Sequence, residues 1–334
     1  MKVQASQLQK TAEDLLVQYG APEEYARIQA EVLIEAELRG TSSHGLQRLP
    51  LILSRMEKGL IQPAKSGKGE WARQAFLAVD GQRGLGPVVV LEAMRAMKEA
   101  VACSGLAMAA ISNSNHIGML AYYAEAAAKS GLIGIILSTS EALVHPYNGT
   151  QAMLGTNPIA IGIPTEGEPF ILDLATSVVS MGEINHHALR DAPIPLGWAV
   201  DAEGNSTTNA QAAREGAIAP FGGAKGYGLG LAFELLVATL AGSSFAPQVR
   251  GTLDDRNLAN KGDLIILIDP AAGSGEAAFL SQYLEQLRLS RPSDPARPVT
   301  VPGDGSRARR AEMLATGIEL PQALMDTLKA LKAA

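Results

Sequence analysis

The sequence predicts an α/β protein in which a mixed β-sheet is covered by helices and is preceded by a helical N-terminal region. Short apolar runs with strand character alternate with helical patterns between residues 76 and 287. Such alternation is typical of a mixed or partly parallel sheet. Residues 1–60 show helix signals only. A length of 334 residues is enough for about two domains with a sizeable core.

Three helices are predicted in the N-terminal region. The first spans residues 6–18, with Ser6 as its N-cap. The second begins at a proline and spans residues 22–39, before a glycine that suits the left-handed conformation at a helix end. A third helix opens near a proline and covers residues 50–58, and residues 62–72 are predicted to form a loop.

The rest of the chain supplies the sheet and its covering helices. Strands are predicted at residues 76–79, 106–111, 132–137, 159–163, 170–172 and 264–268. Helices are predicted at residues 87–102, 119–129, 225–240 and 279–287. The segment 290–306 is expected to be extended and to precede a last helix at 321–332. We therefore expect a helical region, 1–72, packed with the C-terminal segment 290–334, and a mixed α/β domain at 73–289.

Composition and charge indicate a protein whose partner is a small molecule. Lys and Arg total 28 against 34 Asp and Glu, and the resulting net charge of −6 argues against nucleic acid or an anionic membrane surface as the main partner. The single cysteine, Cys103, excludes an internal disulfide and a thiolate zinc site. Such cysteine usage is typical of a cytoplasmic protein.

The sequence gives no signal for a targeting or membrane segment. Polar residues follow Met1 closely, so no apolar stretch of signal-peptide length occurs there, and no run of 18 uncharged apolar residues occurs elsewhere. The most apolar helical pattern, residues 229–240, contains Glu234. We expect it to be a core helix of a soluble protein.

A first candidate site lies between the second and third helices, in the sequence Arg39-Gly-Thr-Ser-Ser-His-Gly-Leu-Gln-Arg-Leu-Pro50. If Ser43 caps a short helical turn, His44 and Arg48 stand at i and i+4 on one face. The arginine can then hold a carboxylate bidentately while the histidine exchanges a proton with a neighbouring oxygen. The alternative is that His44 only closes a helix junction and that Arg48 is solvated.

A second candidate is His116, in the polar segment 112–118 that follows the predicted strand 106–111. Ligands of α/β sheets bind at the carboxyl ends of strands, although an ordinary Asn-rich turn has the same composition. His187 falls in a predicted helix, where it can pair with Glu183 at i−4. The sequence has no HExxH motif and no thiol cluster, so no metal site is predicted.

Glycine-rich and polar turns are candidates for binding an anion. Segment 220–228 contains four glycines and Lys225 and leads into the long apolar helix. Bare N–H groups, a helix N-terminus and a lysine suit a phosphate, whereas tight packing of a helix start is the alternative. Segments 155–158 and 173–177 are further polar turns at strand ends. The GxGxxA sequence at 273–278 is rejected as a dinucleotide fingerprint because no βαβ unit follows it.

Taken in order, these segments resemble the type 2 malate/L-lactate dehydrogenase family, whose members are NAD(P)-dependent oxidoreductases without a Rossmann domain. The resemblance rests on residues 39–50, 114–118, 155–158, 173–177, 197–201 and 220–228. No segment is diagnostic alone, but the ordered set covers most of the chain. The resemblance implies that region 1–72 carries catalytic residues and that domain 73–289 has the family's non-Rossmann NAD(P)-binding fold.

The resemblance also assigns roles to individual residues. His44 is implied as the proton donor and acceptor, with Ser43 beside it, and His116 as a second active-site histidine that some members use as the base, so either histidine can be the principal proton-transfer residue. Arg48 is implied to bind the substrate carboxylate, and Thr156 and Asn157 to bind substrate as well. The implied cofactor contacts are Ser140, Asp173, Leu174, Ala175, Lys225, Gly226, Pro302, Gly303 and Asp304. NAD or NADP is implied without a choice between them, as is a homodimer or larger oligomer.

Within the family, residues 138–146, 181–184 and 223–225 look most like the sulfolactate-type branch. Many members carry lysine at the position of Glu183, whereas cyclic-imine reductases carry aspartate there in a relay with the histidine. Glu183 could imitate that relay and is therefore a catalytic candidate.

The implied reaction moves a hydride between the nicotinamide and C2 of a small 2-hydroxy or 2-oxo acid of the malate, lactate or sulfolactate type. Two alternatives stay open. One is an NADPH-dependent reductase of piperideine- or pyrroline-2-carboxylate, and the other is a non-catalytic nucleotide-binding protein.

Overall fold

The computed structural model describes residues 2–273 and 277–333. Its helices, in chain order, are α1 (Ala5–Gln18), α2 (Glu23–Leu38), α3 (Leu49–Glu57), α4 (Gly86–Ser104), α5 (Ala121–Lys129), α6 (Met181–Leu189), α7 (Ala210–Glu215), α8 (Ala224–Ala241), α9 (Ala277–Arg288), α10 (Asp304–Thr316) and α11 (Gln322–Ala333). Residues 274–276 of the rejected GxGxxA sequence lie outside the described residues.

The strands are β1 (Lys2–Val3), β2 (Lys68–Arg73), β3 (Phe76–Asp80), β4 (Leu106–Ser112), β5 (Ile133–Ser138), β6 (Ile159–Ile163), β7 (Phe170–Leu174), β8 (Ala199–Val200), β9 (Ser206–Thr207), β10 (Ala217–Ile218), β11 (Asp263–Ile268) and β12 (Ile318–Glu319). Seven of them form the main sheet in the order β2-β3-β4-β11-β5-β6-β7. Only β3 and β4 run parallel, and the other five neighbouring pairs are antiparallel. The predicted mixed sheet is therefore confirmed.

Helices cover the main sheet unequally. Apolar residues of α4 and α5 pack against one face and form a core with β3, β4, β5, β6 and β11. On the other face α8 contributes Val237 to a smaller cluster with Ala110, Leu137 and Leu264. Strand β11 is apolar on both sides because it lies between β4 and β5 at the centre of the sheet.

The N-terminal helices share a hydrophobic cluster with the end of the chain. Residues of α1, α2 and α3 pack there with Ile318, Leu320 and Leu328, and β1 pairs with β12. The division into a helical region and an α/β domain stays a prediction, but its boundary at residue 72 falls inside β2, which pairs with β3 in the main sheet.

Three local predictions were wrong for physical reasons. Helix α1 begins at Ala5 after Gln4, so Ser6 is not its N-cap. The predicted loop 62–72 contains most of β2, an edge strand whose six residues are all exposed and therefore show no apolar alternation. Helix α10 begins at Asp304, inside the predicted extended segment 290–306, and buries no residue fully. Polar contacts hold it instead, including the pairing of Arg310 with Glu35 at 2.7 Å.

The prediction of a core helix at 229–240 was also wrong. Only 28% of α8 is buried, and it is the one helix of the described residues that is long and apolar enough, by length and composition, to cross a membrane. Its inner side carries the buried Glu234, whose carboxylate accepts hydrogen bonds from Asn157 Nδ2 and from the backbone N–H of Ala246. Its outer side exposes Leu235 and Leu236.

Candidate active site

Two consecutive 3₁₀ turns, Ser42–His44 and Leu46–Arg48, connect α2 to α3 and carry the first candidate residues. Gly45 between them is extended, so the expected single helical turn is split. The Nε–H of Arg48 donates to the backbone oxygen of Ser43 at 2.8 Å. This bond keeps the guanidinium beside the residue that precedes His44.

A buried carboxylate that sequence reasoning missed supports this loop. Oε1 of Glu37, on α2, accepts the backbone N–H of Leu46 at 2.7 Å. A Cβ on Gly45 would lie 2.2 Å from that same oxygen, so only glycine permits the approach. Burial raises the pKa of Glu37 to about 7. The glycine in the loop was the one sequence signal for such a close contact.

The structure brings His44 and His116 together across 72 positions of the sequence. Their rings are stacked with an interplanar angle of 10°, and Nδ1 of His44 lies 3.2 Å from Nε2 of His116. The N–H of Gly118 donates to Nδ1 of His116 at 3.1 Å. Both ring nitrogens of His116 are therefore occupied by the protein itself.

These contacts fix the tautomers of the neutral pair. Because Nδ1 of His116 accepts a hydrogen bond, its proton resides on Nε2, which then donates to Nδ1 of His44. The proton of His44 consequently resides on its own Nε2, which has no partner among the described residues. The free nitrogen of the pair thus belongs to His44 and carries hydrogen.

Both imidazoles are neutral at physiological pH. Burial, and then the positive charge of Arg48, lower the pKa of His44 to about 4. Burial and the nearby Arg48, His44 and Lys261 hold the pKa of His116 well below its ordinary value. The positive charge beside the histidine pair is therefore that of Arg48, which remains a cation although burial lowers its pKa.

Glu141 positions the loop that faces Arg48. Its Oε1 accepts the backbone N–H and the hydroxyl of Thr252, at 2.8 and 3.0 Å, and the N–H of Leu253. The backbone oxygen of Thr252 in turn lies 3.5 Å from Nη1 of Arg48. Arg48 forms no ion pair with the described residues, so its terminal N–H groups are available to an anion.

A narrow cleft opens between α2, α3 and this loop. The space in which a water molecule can be centred is about 20 Å³. The lining residues are Gln29, Arg48, Leu51, Ile52, Arg55, Ile61, Leu85, Asn115, His116, Gly251 and Thr252. The cleft therefore reaches a cationic guanidinium and His116, on which the ring of His44 stacks.

Several predicted cofactor segments meet beside this site. The N–H of Thr156 donates to Oγ of Ser140 at 3.0 Å, and the backbone oxygen of Thr156 accepts the N–H of Thr176 at 2.8 Å. The N–H of Phe221 then donates to the oxygen of Thr176. The segments around 140, 156, 173–177 and 221 are thereby joined, and Leu174 and Ala175 remain partly accessible among them.

The N-terminus of α8 suits a phosphate. Gly222 and Gly223 both have left-handed backbones, with φ of 57° and 63°, and a Cβ on Gly222 would meet no atom within 4 Å. Lys225 is exposed and forms no ion pair with the part of the chain described. This open turn, a helix N-terminus and a free ammonium fit a dinucleotide phosphate. Gly226 is instead required for packing, since its Cβ would lie 1.9 Å from the oxygen of Phe221.

Four predicted site residues are engaged elsewhere. Asn157 is fully buried and its Nδ2 binds Gly230 and Glu234, so it supports α8 rather than facing the cleft, although its Oδ1 has no partner among the described residues. Glu183 is exposed, and its carboxylate lies 3.7 Å from His187 and makes no bond to His44. The predicted pairing with His187 is thereby confirmed, whereas the relay is absent.

Asp173 and Asp304 are the other two predicted site residues that are bonded to protein groups. Oδ2 of Asp173 accepts the N–H of Ala121 at the start of α5. Asp304 binds Arg288 and Arg307, which hold the pKa of its carboxyl well below the ordinary value. Gly303 has φ of 100° and precedes α10, with the exposed Pro302 before it. Ser43 lies close to Gly182 at the start of α6. A Cβ added to Gly182 would come within 2.8 Å of the Cβ of Ser43.

Comparison with known proteins assigns the chain to a class. A family model described as malate/L-lactate dehydrogenase matches residues 3–329. The protein is an NAD(P)-dependent oxidoreductase of the 2-hydroxyacid dehydrogenase class. The chain belongs to the malate/L-lactate dehydrogenase family.

Three similar proteins illustrate the match. L-sulfolactate dehydrogenase of Methanocaldococcus jannaschii is 36% identical over 318 residues, which cover 95% of this chain and 92% of that protein. The crystal structure of a dehydrogenase from Sinorhizobium meliloti is 63% identical with a TM-score of 0.98, covering 99% of this chain and 98% of that one. The structure of Δ1-piperideine-2-carboxylate reductase from Pseudomonas syringae is 31% identical with a TM-score of 0.88, covering 99% of each chain.

Relatives differ in the cofactor that their names specify. The (2R)-3-sulfolactate dehydrogenase of Chromohalobacter salexigens, 35% identical over 93% of this chain and 92% of its own, is named for NADP⁺. A ureidoglycolate dehydrogenase of Escherichia coli, 32% identical over 96% of this chain and 93% of its own, is named for NAD⁺. The cofactor is therefore NAD or NADP.

Proposed function

We propose that this protein interconverts a small 2-oxo acid and its 2-hydroxy acid at the cleft between Arg48 and the histidine pair. Bound NAD(P) supplies the hydride acceptor or donor. The observation that carries the proposal is the juxtaposition of a guanidinium with free N–H groups and an imidazole with one free nitrogen, Nε2 of His44.

Arg48 binds the C1 carboxylate in this proposal. Its Nε is held by Ser43 and one Nη1 hydrogen points to Thr252, so the remaining hydrogens can form a bidentate pair with a carboxylate. That pair orients C2 toward the cofactor region at Ser140, Thr156 and Lys225. Its negative charge also offsets the guanidinium charge that lowers the pKa of His44.

His44 handles the C2 oxygen. Its Nε2–H donates to the carbonyl oxygen in the reductive direction and stabilises the charge that develops there, as a neutral imidazole can. When the alcohol forms, the proton passes from Nε2 of His44 to that oxygen while the histidine pair takes up one proton from solvent, so that both imidazoles end neutral. His116 acts as a positioning residue, because the Gly118 amide sets its tautomer and thereby that of His44.

The residues proposed to hold the cofactor are Ser140, Leu174, Ala175 and Lys225, together with Pro302 and Gly303 near the end of the chain. The open glycine turn before α8 supports the phosphate contact of Lys225. No described group of three or more His, Cys, Asp or Glu side chains could hold a metal ion, so the proton chemistry is assigned to the histidines.

Initial rates with a panel of 2-oxo acids, measured with NADH and NADPH in parallel, test the proposal. We expect turnover of at least one acid, with a rise in KM rather than in cofactor Kd when Arg48 is replaced. Cofactor binding without turnover of any acid would instead indicate a non-catalytic nucleotide-binding protein.

A cyclic imino-acid reductase is the second candidate function. The likeness to a Δ1-piperideine-2-carboxylate reductase favours it, but Glu183 makes no bond to His44. Adding Δ1-piperideine-2-carboxylate to the same panel separates the two candidates by their kcat/KM.

We further propose that the protein is a homodimer in the cytoplasm and that α8 forms the interface. The outer side of α8 exposes residues at helical spacing: Gly228, Leu229, Ala232, Leu235, Leu236 and Thr239. Such a charge-free stripe suits close packing against its own copy. In light scattering, Leu235→Glu is expected to yield monomers, whereas Leu289→Glu, at a position that is 77% exposed outside α8, is expected not to.

A further inference from the structure

A second arginine, Arg55 on α3, lines the same cleft as Arg48 and His116. It follows Arg48 by seven positions, and Arg48 already has a helical backbone at the N-terminal end of α3. Seven residues make almost two turns of an α-helix, so the two arginines project from nearly the same face, about 10.5 Å apart along its axis. Ile52, which lies between them on that face, lines the cleft as well. One face of α3 therefore presents two cations to one cleft.

Neutral groups alone bind the guanidinium of Arg55. The residue is 3% exposed. Its Nη1 donates to the backbone oxygens of Asp254 and Asn257 at 2.6 and 3.0 Å, and its Nη2 donates to Oδ1 of Asn115 at 3.0 Å. Arg55 forms no ion pair with any residue that the structure describes. A buried cation without a counter-charge is costly, so an anion that enters the cleft would stabilise it.

The carboxylates around Arg55 are bonded to other groups. Asp254 and Glu141 accept backbone N–H groups of the loop 251–257, and Asp255 pairs with a lysine. The three carboxylates act to raise the pKa of Arg55, but burial outweighs them and lowers it. The protein therefore compensates the charge of Arg55 only in part.

Arg55 also has hydrogens that are available to a ligand. Of its five N–H hydrogens, the one on Nε and the second one on Nη2 have no partner in the described chain. Nε is not enclosed, because the buried unpartnered side-chain atoms of the described residues are Oδ1 of Asn157 and Oγ of Ser243. None of the described residues that line the cleft is acidic, so nothing in its walls competes with an incoming anion.

We propose that Arg55 is a specificity-determining residue that binds a second anionic group, so that the preferred substrate is a 2-oxo acid with a carboxylate or sulfonate besides its C1 carboxylate. Arg48, beside the histidine pair, binds the C1 carboxylate. Two guanidinium groups in one cleft favour such a dianion over a monoanion of the same shape. This inference rests on the proposed function and narrows its substrate class.

Four 2-oxo acids of similar size test the preference in the unaltered enzyme. Oxaloacetate and sulfopyruvate carry a second anion, whereas 2-oxosuccinamate and 4-methyl-2-oxopentanoate carry a neutral carboxamide or isopropyl group in its place. We expect kcat/KM for at least one dianion to exceed that of both neutral analogues by about 10- to 100-fold, the effect of hydrogen bonds to a charged group. Comparison of oxaloacetate with sulfopyruvate identifies the preferred anion.

Succinate and succinamate measure binding without turnover, because neither has a C2 carbonyl to reduce. They differ in a single charge. We expect succinate to compete with the 2-oxo acid with an inhibition constant about tenfold lower than that of succinamate. This comparison also uses the unaltered enzyme, so it holds even if a variant at position 55 does not fold.

Arg55→Gln is expected to lower kcat/KM for the preferred dianion by about 10- to 100-fold and to leave that for 4-methyl-2-oxopentanoate within about threefold. Arg256→Gln removes a positive charge from an exposed position of the loop 251–257. It is the matched control and should change neither value. A purely structural role of Arg55 would instead lower kcat/KM for all four acids by the same factor.

The outcomes separate this inference from the proposed function. Equal kcat/KM for the dianions and their neutral analogues, equal inhibition by succinate and succinamate, or a uniform loss in Arg55→Gln would overturn the role of Arg55, while turnover itself would uphold the proposed function. Absence of turnover with every 2-oxo acid of the wider panel would overturn both.

Discussion

Glu37 holds the loop that carries His44 through a hydrogen bond of 2.7 Å from the backbone N–H of Leu46 to its Oε1. The carboxyl is buried beneath that loop, and burial raises its pKa to about 7 from an ordinary value of 4.5. Proton binding at Glu37 is thus linked both to folding and to the geometry beside the histidine pair.

This linkage predicts a pH-dependent loss of stability. Because the folded state binds the proton more tightly than the unfolded state, the free energy of unfolding falls as pH rises from about 4.5 to about 7. The total loss is on the order of 3 kcal/mol. Glu37→Gln removes the titration and keeps an acceptor, so we expect it to be more stable than the parent at pH 8 and equal to it near pH 4.5.

Urea denaturation at the two pH values measures this difference. Glu57→Gln, at the exposed end of α3, is the control. A gain in stability for Glu37→Gln that is the same at both pH values would show that the carboxyl does not titrate in this range.

His116→Gln and His116→Ala test the positioning of His44. A glutamine amide can still donate to Nδ1 of His44, whereas alanine cannot. We expect His116→Ala to lower kcat by about 10²-fold, and His116→Gln to retain more of the activity, while KM changes little in either. Equal losses in the two variants, or a change in KM alone, would contradict a role through the tautomer of His44.

Arg48→Lys is expected to raise KM for the acid by about 10- to 100-fold, because a lysine cannot form the bidentate pair that a guanidinium forms. Because lysine retains the positive charge, the fold and the cofactor affinity should be unaltered. Steady-state kinetics with Arg27→Lys, at an exposed position of α2, supply the control. An unchanged KM would remove Arg48 from the substrate site.

Lys261 and Asp263 form a buried ion pair at the start of the central strand β11, where Ser138 also donates to Asp263 at 2.7 Å. Lys261→Met leaves the carboxylate without its cation and is expected to cost about 3–5 kcal/mol of stability. Adding Asp263→Asn should recover part of that loss. Lys68→Met, on the exposed strand β2, is the control and should have little effect on the free energy of unfolding. An equally small effect of Lys261→Met in urea denaturation would show that the ion pair does not contribute to stability.

Much of the sheet could be predicted because its strands are apolar and bounded by turn residues. Strand β6 has the predicted limits, Ile159–Ile163, between Pro158 and Pro164. Strand β2 and helix α10 could not be predicted in this way, since their residues are exposed or held by polar contacts with distant parts of the chain. A hydrophobic pattern records burial, and these elements have little of it.

The candidate site shows a similar limit. Sequence reasoning singled out His44, Arg48 and His116, but the stacking of the two rings depends on the folded chain. Glu141 carries no local signal, because it acts through residues that are distant in sequence. The only sequence signal for Glu37 is the glycine at position 45, which permits the close approach of its carboxylate. Asn157 shows the converse, since a polar residue in a turn proved to be a buried support for α8.

The most direct test of the central claim is the effect of His44→Ala on kcat for the preferred 2-oxo acid. A group that transfers the proton contributes about 10²- to 10⁴-fold, so we expect kcat to fall by that factor while the Kd of the cofactor, measured by fluorescence titration, stays the same. A kcat within about threefold of the parent enzyme would contradict the assignment of His44.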